Sequence, residues 1–281
     1  MSIREITIII TSFKSKEKIK NCLNSINKQC KVIVVENSND SDFKKNIENE
    51  FSNVECILTG ENLGYGKANN IGLKKVVTRY ALILNPDALL HSSALENFFR
   101  VAKKYSDFAI MAPHTQEKSF SNKDTNEDKF TPISVQNVKG FAMFLNLSEF
   151  KEVGFFDEKF FLYFEEIDLC KRLINLGKKI YLVPAIIIEH VGGQSHDVSI
   201  NKSMELSRNW HWMWSTFYYQ KKYKGFIISF LFALPKLFSS VLKMLFYILI
   251  FNKEKKEVYY YRYLGLINAM MGKSSWYRPQ V

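Results

Sequence analysis

At 281 residues, 47% hydrophobic and 15% aromatic, the chain can bury one sizeable core with an appendage, which excludes a disordered or fibrous protein. A net charge of +11 favours anionic partners, whether nucleotide phosphates, acidic lipid headgroups or nucleic acid. Cys22, Cys30, Cys56 and Cys170 make no C-x-x-C pair and no cluster with histidine, so neither a zinc site nor a disulfide framework is indicated, and reduced thiols in a cytosolic setting are expected.

Met1 leads into a strand-like segment without the features of an export signal, so export is not expected. Ile6-Thr7-Ile8-Ile9-Ile10 is a β-branched run, residues 14–26 have helical spacing, and Lys31-Val32-Ile33-Val34-Val35 reads as a second buried strand. The β-α-β pattern recurs at 54–58, 68–77 and 80–84. Continuous apolar strands separated by helices predict an α/β fold with an open, doubly wound, mostly parallel sheet. Such sheets bind ligands at the carboxyl ends of their strands. Those ends are polar here: Thr11-Ser12-Phe13, Glu36-Asn37-Ser38-Asn39-Asp40 and Asn85-Pro86-Asp87.

Between them, residues 61–72 join a Gly-bearing turn to a helix start with Lys67 beside it. Backbone N–H groups and an ammonium there suit a phosphate or sugar, but neither the P-loop ending nor the G-x-G-x-x-G spacing is present. Pro86 ends the ladder and fixes a turn that projects Asp87 over the sheet edge, where a carboxylate can hold Mg²⁺ or Mn²⁺ together with substrate phosphates. The alternative is that Asp87 caps a helix; Ser93-Ala94-Leu95-Glu96, a capping box, is the better candidate for that duty. Residues 116–128 are polar throughout and read as a flexible loop within the domain, a candidate lid.

The segment 161–172 places Glu165, Glu166 and Asp168 after an aromatic run and before Lys171 and Arg172. Desolvation by Phe and Tyr would raise a carboxylate's pKa toward that of a general base. A helix starting near Glu165 would equally explain the acids by the helix dipole, with Asp168 meeting Arg172 at i, i+4. A strand candidate at 179–188 leads into Glu189-His190-Val191-Gly192-Gly193, so His190 reaches a strand end as Asp87 does; a lone histidine is more often structural. The catalytic body is expected to end near 200.

Beyond it, Trp210, Trp212, Trp214, Tyr218 and Tyr219 mix with Lys221, Lys222 and Lys224, as expected at anionic headgroups. Residues 226–251 are long enough to span a bilayer but carry Pro235, Lys236 and Lys243. Ser229, Lys236, Ser239, Ser240 and Lys243 form one narrow polar stripe, which predicts a helix lying in the membrane interface. A buried core or dimer helix is the alternative, and a true span is disfavoured by about 2.5–3.5 kcal/mol per mid-span lysine.

In order, Thr11-Ser12-Phe13, Val34-Val35-Glu36-Asn37-Ser38, the 61–72 segment, Leu84-Asn85-Pro86-Asp87, Gly154-Phe155-Phe156-Asp157 and the 164–172 segment resemble glycosyltransferase family 2, most nearly its bacterial rhamnosyltransferase-like members. The resemblance covers roughly the first two hundred residues. It implies a GT-A catalytic domain at 1–200 with a C-terminal aromatic, basic and helical region at 201–281. It also implies an inverting, non-processive transfer of a sugar, rhamnose being the first expectation, from a dTDP- or UDP-sugar to a saccharide or lipid-linked saccharide in cell-surface polysaccharide assembly.

The resemblance places the donor near Thr11, Phe13, Glu36, Asn37, Asn62, Lys67 and Asn85, a divalent cation (Mg²⁺ or Mn²⁺) at Asp87 and His190, and the base at Glu166. Glu165, Asp168 and Gly140 are assigned to acceptor binding or support. Asn85 stands where many relatives have an aspartate, and Glu36 and Glu166 likewise replace the more usual aspartate. The expected setting is cytoplasmic, on the inner face of the plasma membrane, with an anionic membrane surface as partner, no nucleic acid, and a homodimer through the C-terminal helices as the alternative association. The rivals are a sugar-phosphate nucleotidyltransferase, which should carry a Gly-rich loop after the first strand where this chain has Thr11-Ser12-Phe13-Lys14-Ser15, and a catalytically inactive basic adaptor on the same scaffold.

Overall fold

The computed structural model describes residues 3–114, 129–190 and 196–279; the expected loop at 116–128 and the Gly192-Gly193 pair lie outside them. In chain order the elements are β1 (Ile6–Ser12), α1 (Lys16–Asn24), β2 (Lys31–Glu36), α2 (Ser41–Glu50), β3 (Val54–Leu58), α3 (Tyr65–Leu73), β4 (Tyr80–Leu84), β5 (Ala88–Leu90) and α4 (Ala94–Lys104). There follow β6 (Phe108–Pro113), β7 (Ile133–Ser134), β8 (Ala142–Asn146), α5 (Glu165–Asn175), β9 (Lys179–Val183), β10 (Ile188–His190), α6 (Asn201–Lys224), α7 (Phe226–Leu249) and α8 (Lys253–Met270). The chain divides into two compact units, one of residues 1–63, 68–156 and 169–197 and one of 64–67, 157–168 and 198–281.

The first unit is built on an eight-stranded sheet in the order β3-β2-β1-β4-β8-β6-β9-β7. β3, β2, β1 and β4 are parallel neighbours, β8 runs antiparallel between β4 and β6, and β9 is parallel to β6. The β-branched runs are buried on both faces because alternate side chains point opposite ways. Ile6, Ile8, Ile10, Val32 and Val34 enter one apolar cluster, while Ile33, Val35 and Ala68 form another. Under the sheet, Phe144 stacks on Phe98 and Tyr80 at centroid distances of 4.7 and 5.0 Å. Register holds Ser12 opposite Glu36 and Ile10 opposite Leu84, so the carboxyl ends of β1, β2 and β4 lie together.

Two local expectations are corrected. The strand predicted over 179–188 stops at Val183, because Pro184 interrupts the ladder; β10 is a separate piece that pairs antiparallel with β5. Ser93 does occupy the N-cap of α4 but makes no side-chain cap bond; its hydroxyl lies 3.0 Å from His91 Nδ1 instead.

The second unit is dominated by α6, α7 and α8. Trp210, Met213, Trp214, Phe217, Leu266 and Ala269 form its core. Gly265 lets α8 approach α6 closely, since a Cβ there would lie 2.2 Å from the Trp210 carbonyl oxygen. The polar stripe of α7 is divided: Lys236 and Lys243 are exposed, while two of its serines turn inward. Ser229 and Ser240 are buried and donate to the Gly225 and Lys236 carbonyls at 2.7 and 2.8 Å. Large apolar side chains make up most of the outward side: Ile227 is 75% exposed, Leu242 66% and Phe251, just beyond the helix, 90%. Small hydroxyl side chains permit close packing, so they are drawn inward and the large apolar ones are left outside.

Candidate active site

In the first unit, the end of β2 carries Glu36, which is 2% exposed. Its Oε1 accepts the Ser38 hydroxyl at 2.8 Å, while Oε2 is buried without a hydrogen-bond partner, as is Thr11 Oγ1 at the end of β1. A buried acceptor left unmatched costs about 1–3 kcal/mol unless a ligand supplies the donor. Asn37 continues the ladder through its N–H to the Ser12 carbonyl at 2.8 Å, and its Oδ1 accepts the Leu63 N–H at 3.3 Å, next to Asn62. Phe13, between these strand ends, is half-buried and followed by Lys14 with φ +51°, an uncommon backbone state for a non-glycine residue.

Asn85 and Asp87 follow β4. The Asn85 N–H bonds the Phe141 carbonyl at 2.8 Å, and the β5–β10 ladder sets His190 opposite Ala88, the residue after Asp87. As a result His190 Nε2 lies 3.3 Å from Asp87 Oδ1 and 3.5 Å from Asn85 Nδ2. Phe141, following Gly140, stacks flat on the imidazole at 4.5 Å and 10° and fixes its plane. A neutral imidazole binds a metal through whichever ring nitrogen carries no proton, and Nε2 is the nitrogen turned toward Asp87 and Asn85. Carboxylate oxygen and imidazole nitrogen are both ligands for Mg²⁺ or Mn²⁺, and two protein ligands suffice where substrate phosphates complete the set. This donor pair fits the cation; among the described residues, no group of three or more His, Cys, Asp or Glu side chains gathers in a metal-binding arrangement.

In the second unit, Glu165, Glu166 and Asp168 occupy the first turn of α5. The two residues before it, Tyr163 and Phe164, have φ of +70° and +72°. Consecutive left-handed non-glycine residues are strained by roughly 1–2 kcal/mol each and persist where the surroundings over-determine them. The surroundings here are aromatic and extensive. Tyr163 and Phe164 pack on Trp212 at 5.2 and 5.5 Å, and the Leu162 carbonyl accepts the Ser215 hydroxyl at 2.8 Å. Phe161 stacks on His211 at 4.3 Å, with the Arg278 guanidinium 4.0 Å from its ring. His211 is held neutral by burial, its pKa pushed down to about 3; its Nε2–H donates to the Tyr277 carbonyl at 2.8 Å.

Burial raises the pKa of both glutamates. Glu165, completely enclosed and next to a second acid, is held well above the ordinary 4.5, and its Oε2 has no hydrogen-bond partner. Glu166 is also raised by burial but remains partly accessible. Asp168 is fully buried and takes Lys222 Nζ at 2.6 Å and the Tyr223 hydroxyl at 2.8 Å. Lys222 also bridges to Asp157 at 2.8 Å. Arg172, the expected i, i+4 partner of Asp168, donates to the Val153 and Phe155 carbonyls at 2.8 and 2.5 Å. Lys67 lies in the first turn of α3, where Gly64 (φ +83°) permits the Tyr65 N–H to reach the Phe161 carbonyl at 3.0 Å; a Cβ at Gly64 would meet that oxygen at 2.3 Å.

Sequence reasoning missed Phe141 beneath His190, the Lys222 and Tyr223 anchors of Asp168, and the Ser275–Arg278 strap on His211 and Phe161. None carries a local signal, because each joins residues at least 49 positions apart.

The family model described as Glycosyl transferase family 2 matches residues 7–170, more than half of the chain. Over 247 residues, 75% of this chain and 91% of the relative, the sequence is 27% identical to the rhamnosyltransferase WbbL of Escherichia coli (strain K12). Over 200 residues it is 26% identical to the low-salt glycan biosynthesis hexosyltransferase Agl10 of Haloferax volcanii; that match takes in 62% of this chain and 64% of the relative, just under two thirds of its length. Among solved structures, the mannosyltransferase PcManGT from Pyrobaculum calidifontis, in complex with GDP-Man and Mn²⁺, superposes with a TM-score of 0.59 at 11% identity, over 96% of this chain and 88% of that one.

Proposed function

Since the chain belongs to glycosyl transferase family 2 and has the GT-A fold, we propose that it is an inverting, single-addition transferase moving a sugar from a nucleoside-diphosphate donor to a hydroxyl of a saccharide or lipid-linked saccharide. Rhamnose is the favoured sugar, by likeness to a rhamnosyltransferase, and cell-surface polysaccharide assembly the favoured setting. The observation that carries the proposal is the Asp87–His190 pair, two metal-type ligands 3.3 Å apart, drawn together from distant parts of the sequence by the β5–β10 ladder.

Thr11 Oγ1 and Glu36 Oε2 are unmatched acceptors at the strand ends, suited to hydrogens of the donor's base and ribose, beside Phe13, Asn37 and Asn62. Asp87 and His190 would hold a divalent cation, which when bound supplies positive charge against the leaving diphosphate. Asn85 orients the His190 ring, and Lys67 adds a cation for the phosphates. Glu166 takes the proton from the acceptor hydroxyl; the oxygen attacks the anomeric carbon opposite the diphosphate, which departs with the bonding electron pair, inverting the configuration. Glu166 suits this role because its pKa is raised and it stays accessible, whereas Glu165 is enclosed. Glu165, Asp168 and Gly140 support the site. Membership of the family displaces the nucleotidyltransferase alternative, and a raised-pKa glutamate favours an enzyme over an inert adaptor.

The exposed apolar side chains of α7, with Lys224 before the helix and Lys253 after it, support a cytoplasmic enzyme held on the inner membrane face. Calorimetric titration of dTDP-rhamnose and UDP-sugars, with Mn²⁺ or with chelator, tests the donor assignment. Binding of one donor that disappears with chelator is expected; no metal-dependent binding of any nucleotide-sugar contradicts it.

A further inference from the structure

The second unit contains a groove of about 770 Å³ bounded by α6, α7, α8 and the C-terminal segment. Its lining is apolar at Leu206, Met244 and Ile248 and polar at Lys202, Lys256 and Ser203. Ser203 Oγ is buried without a hydrogen-bond partner, a donor that an oxyanion would satisfy. Glu257 also lines the groove, bridged to Lys202 at 2.8 Å, so Lys202, Lys256 and Glu257 together leave the groove with a net positive charge. Ile248 is both a groove residue and, at 47% exposure, part of the apolar outward face of α7. The groove therefore meets that face at Ile248. Ammonium groups frame the same face through cation–π contacts: Lys224 over Phe232 at 5.2 Å, Lys243 over Tyr259 at 5.3 Å and Lys255 over Tyr247 at 5.4 Å.

A ligand for such a groove must be anionic at one end and aliphatic at the other. We propose that the α6–α7–α8 groove binds an anionic membrane phospholipid, its phosphate between Lys256, Lys202 and Ser203 Oγ and its chain along Met244 and Ile248, continuing over the α7 face. The inference rests on the membrane reading above and gives it a defined headgroup site. Phosphate recognition by two lysines and a hydroxyl adds selectivity for anionic lipid that an apolar face alone lacks.

Flotation of the full chain with vesicles of phosphatidylcholine alone, or mixed with phosphatidylglycerol, tests this. The mixed vesicles are expected to bind more tightly. Lys256→Glu is expected to lower that affinity by about fivefold or more, and Ser203→Leu, which fills the groove without changing charge, to lower it as well. Lys28→Glu, a surface control, leaves it nearly unchanged. Donor binding and circular dichroism report that each variant is folded; should Lys256→Glu fail to fold, Lys256→Gln carries the same test. Equal binding to both vesicles overturns the headgroup site and leaves the membrane reading standing. A Lys28→Glu loss as large as that of Lys256→Glu overturns it in favour of diffuse charge. Absence of binding to either vesicle, with a doubled sedimentation mass, overturns both and assigns the α7 face to a second copy.

Discussion

Glu165 and Glu166 are neighbours in sequence with different chemical fates. Glu165 is enclosed, and its raised pKa means that the folded state binds its proton more tightly than the unfolded chain. Its contribution to stability is therefore complete below the unfolded value of 4.5 and is lost as pH rises through the folded value. Glu165→Gln should raise the unfolding midpoint near neutral pH, with the gain shrinking as pH falls toward 4.5 and absent below it; a gain independent of pH would contradict the burial argument. Glu166 should place the acidic limb of kcat/KM above the ordinary glutamate range. Asp87→Ala should remove the response to chelator together with donor affinity, whereas metal-stimulated turnover in that variant would remove Asp87 from the cation site. Glu166, Thr11, Glu36, Asp87 and His190 were legible as polar or acidic residues at strand and helix ends. Phe141 was not, because ring stacking leaves no spacing signature.

The first turn of α5 owes its shape to long-range contacts. The helix that would set the acids in its first turn does start at Glu165, but the left-handed Tyr163 and Phe164 and the anchoring of Asp168 depend on α6. Lys222 lies between two acids, Asp157 and Asp168, and the burial of Asp157 is outweighed by that ammonium, a Lys159 N–H and the Tyr218 hydroxyl, which hold its carboxyl below 3.8. Lys222→Met should cost roughly 3 kcal/mol by denaturant unfolding, since a buried carboxylate loses its cation; Lys222→Arg should recover most of it. A loss below about 1 kcal/mol would reduce the bridge to a surface pair. The β1-α1-β2 run and β4 were legible because buried parallel strands are continuous apolar runs. The split between β9 and β10 was announced by Pro184 and passed over in favour of the apolar residues on either side.

Over the whole molecule, the positive charge and the apolar α7 face point to the same kind of surface. A helical projection finds the polar stripe of α7 but not which of its members meet protein: Ser229 and Ser240 pack inward, while Lys236 and Lys243 stay exposed. Phe238→Ser with Leu242→Ser, both outward, should weaken vesicle binding by more than tenfold, since each side chain moved into lipid contributes about 1.5–3 kcal/mol, with donor affinity unchanged. Retained vesicle binding would show that α7 does not meet the membrane. The role of Glu166 is tested most directly by Glu166→Gln, assayed for nucleotide-sugar binding and for transfer with the same protein and donor. It predicts wild-type donor affinity with kcat lower by about 10²- to 10⁴-fold; transfer at the wild-type rate would contradict it.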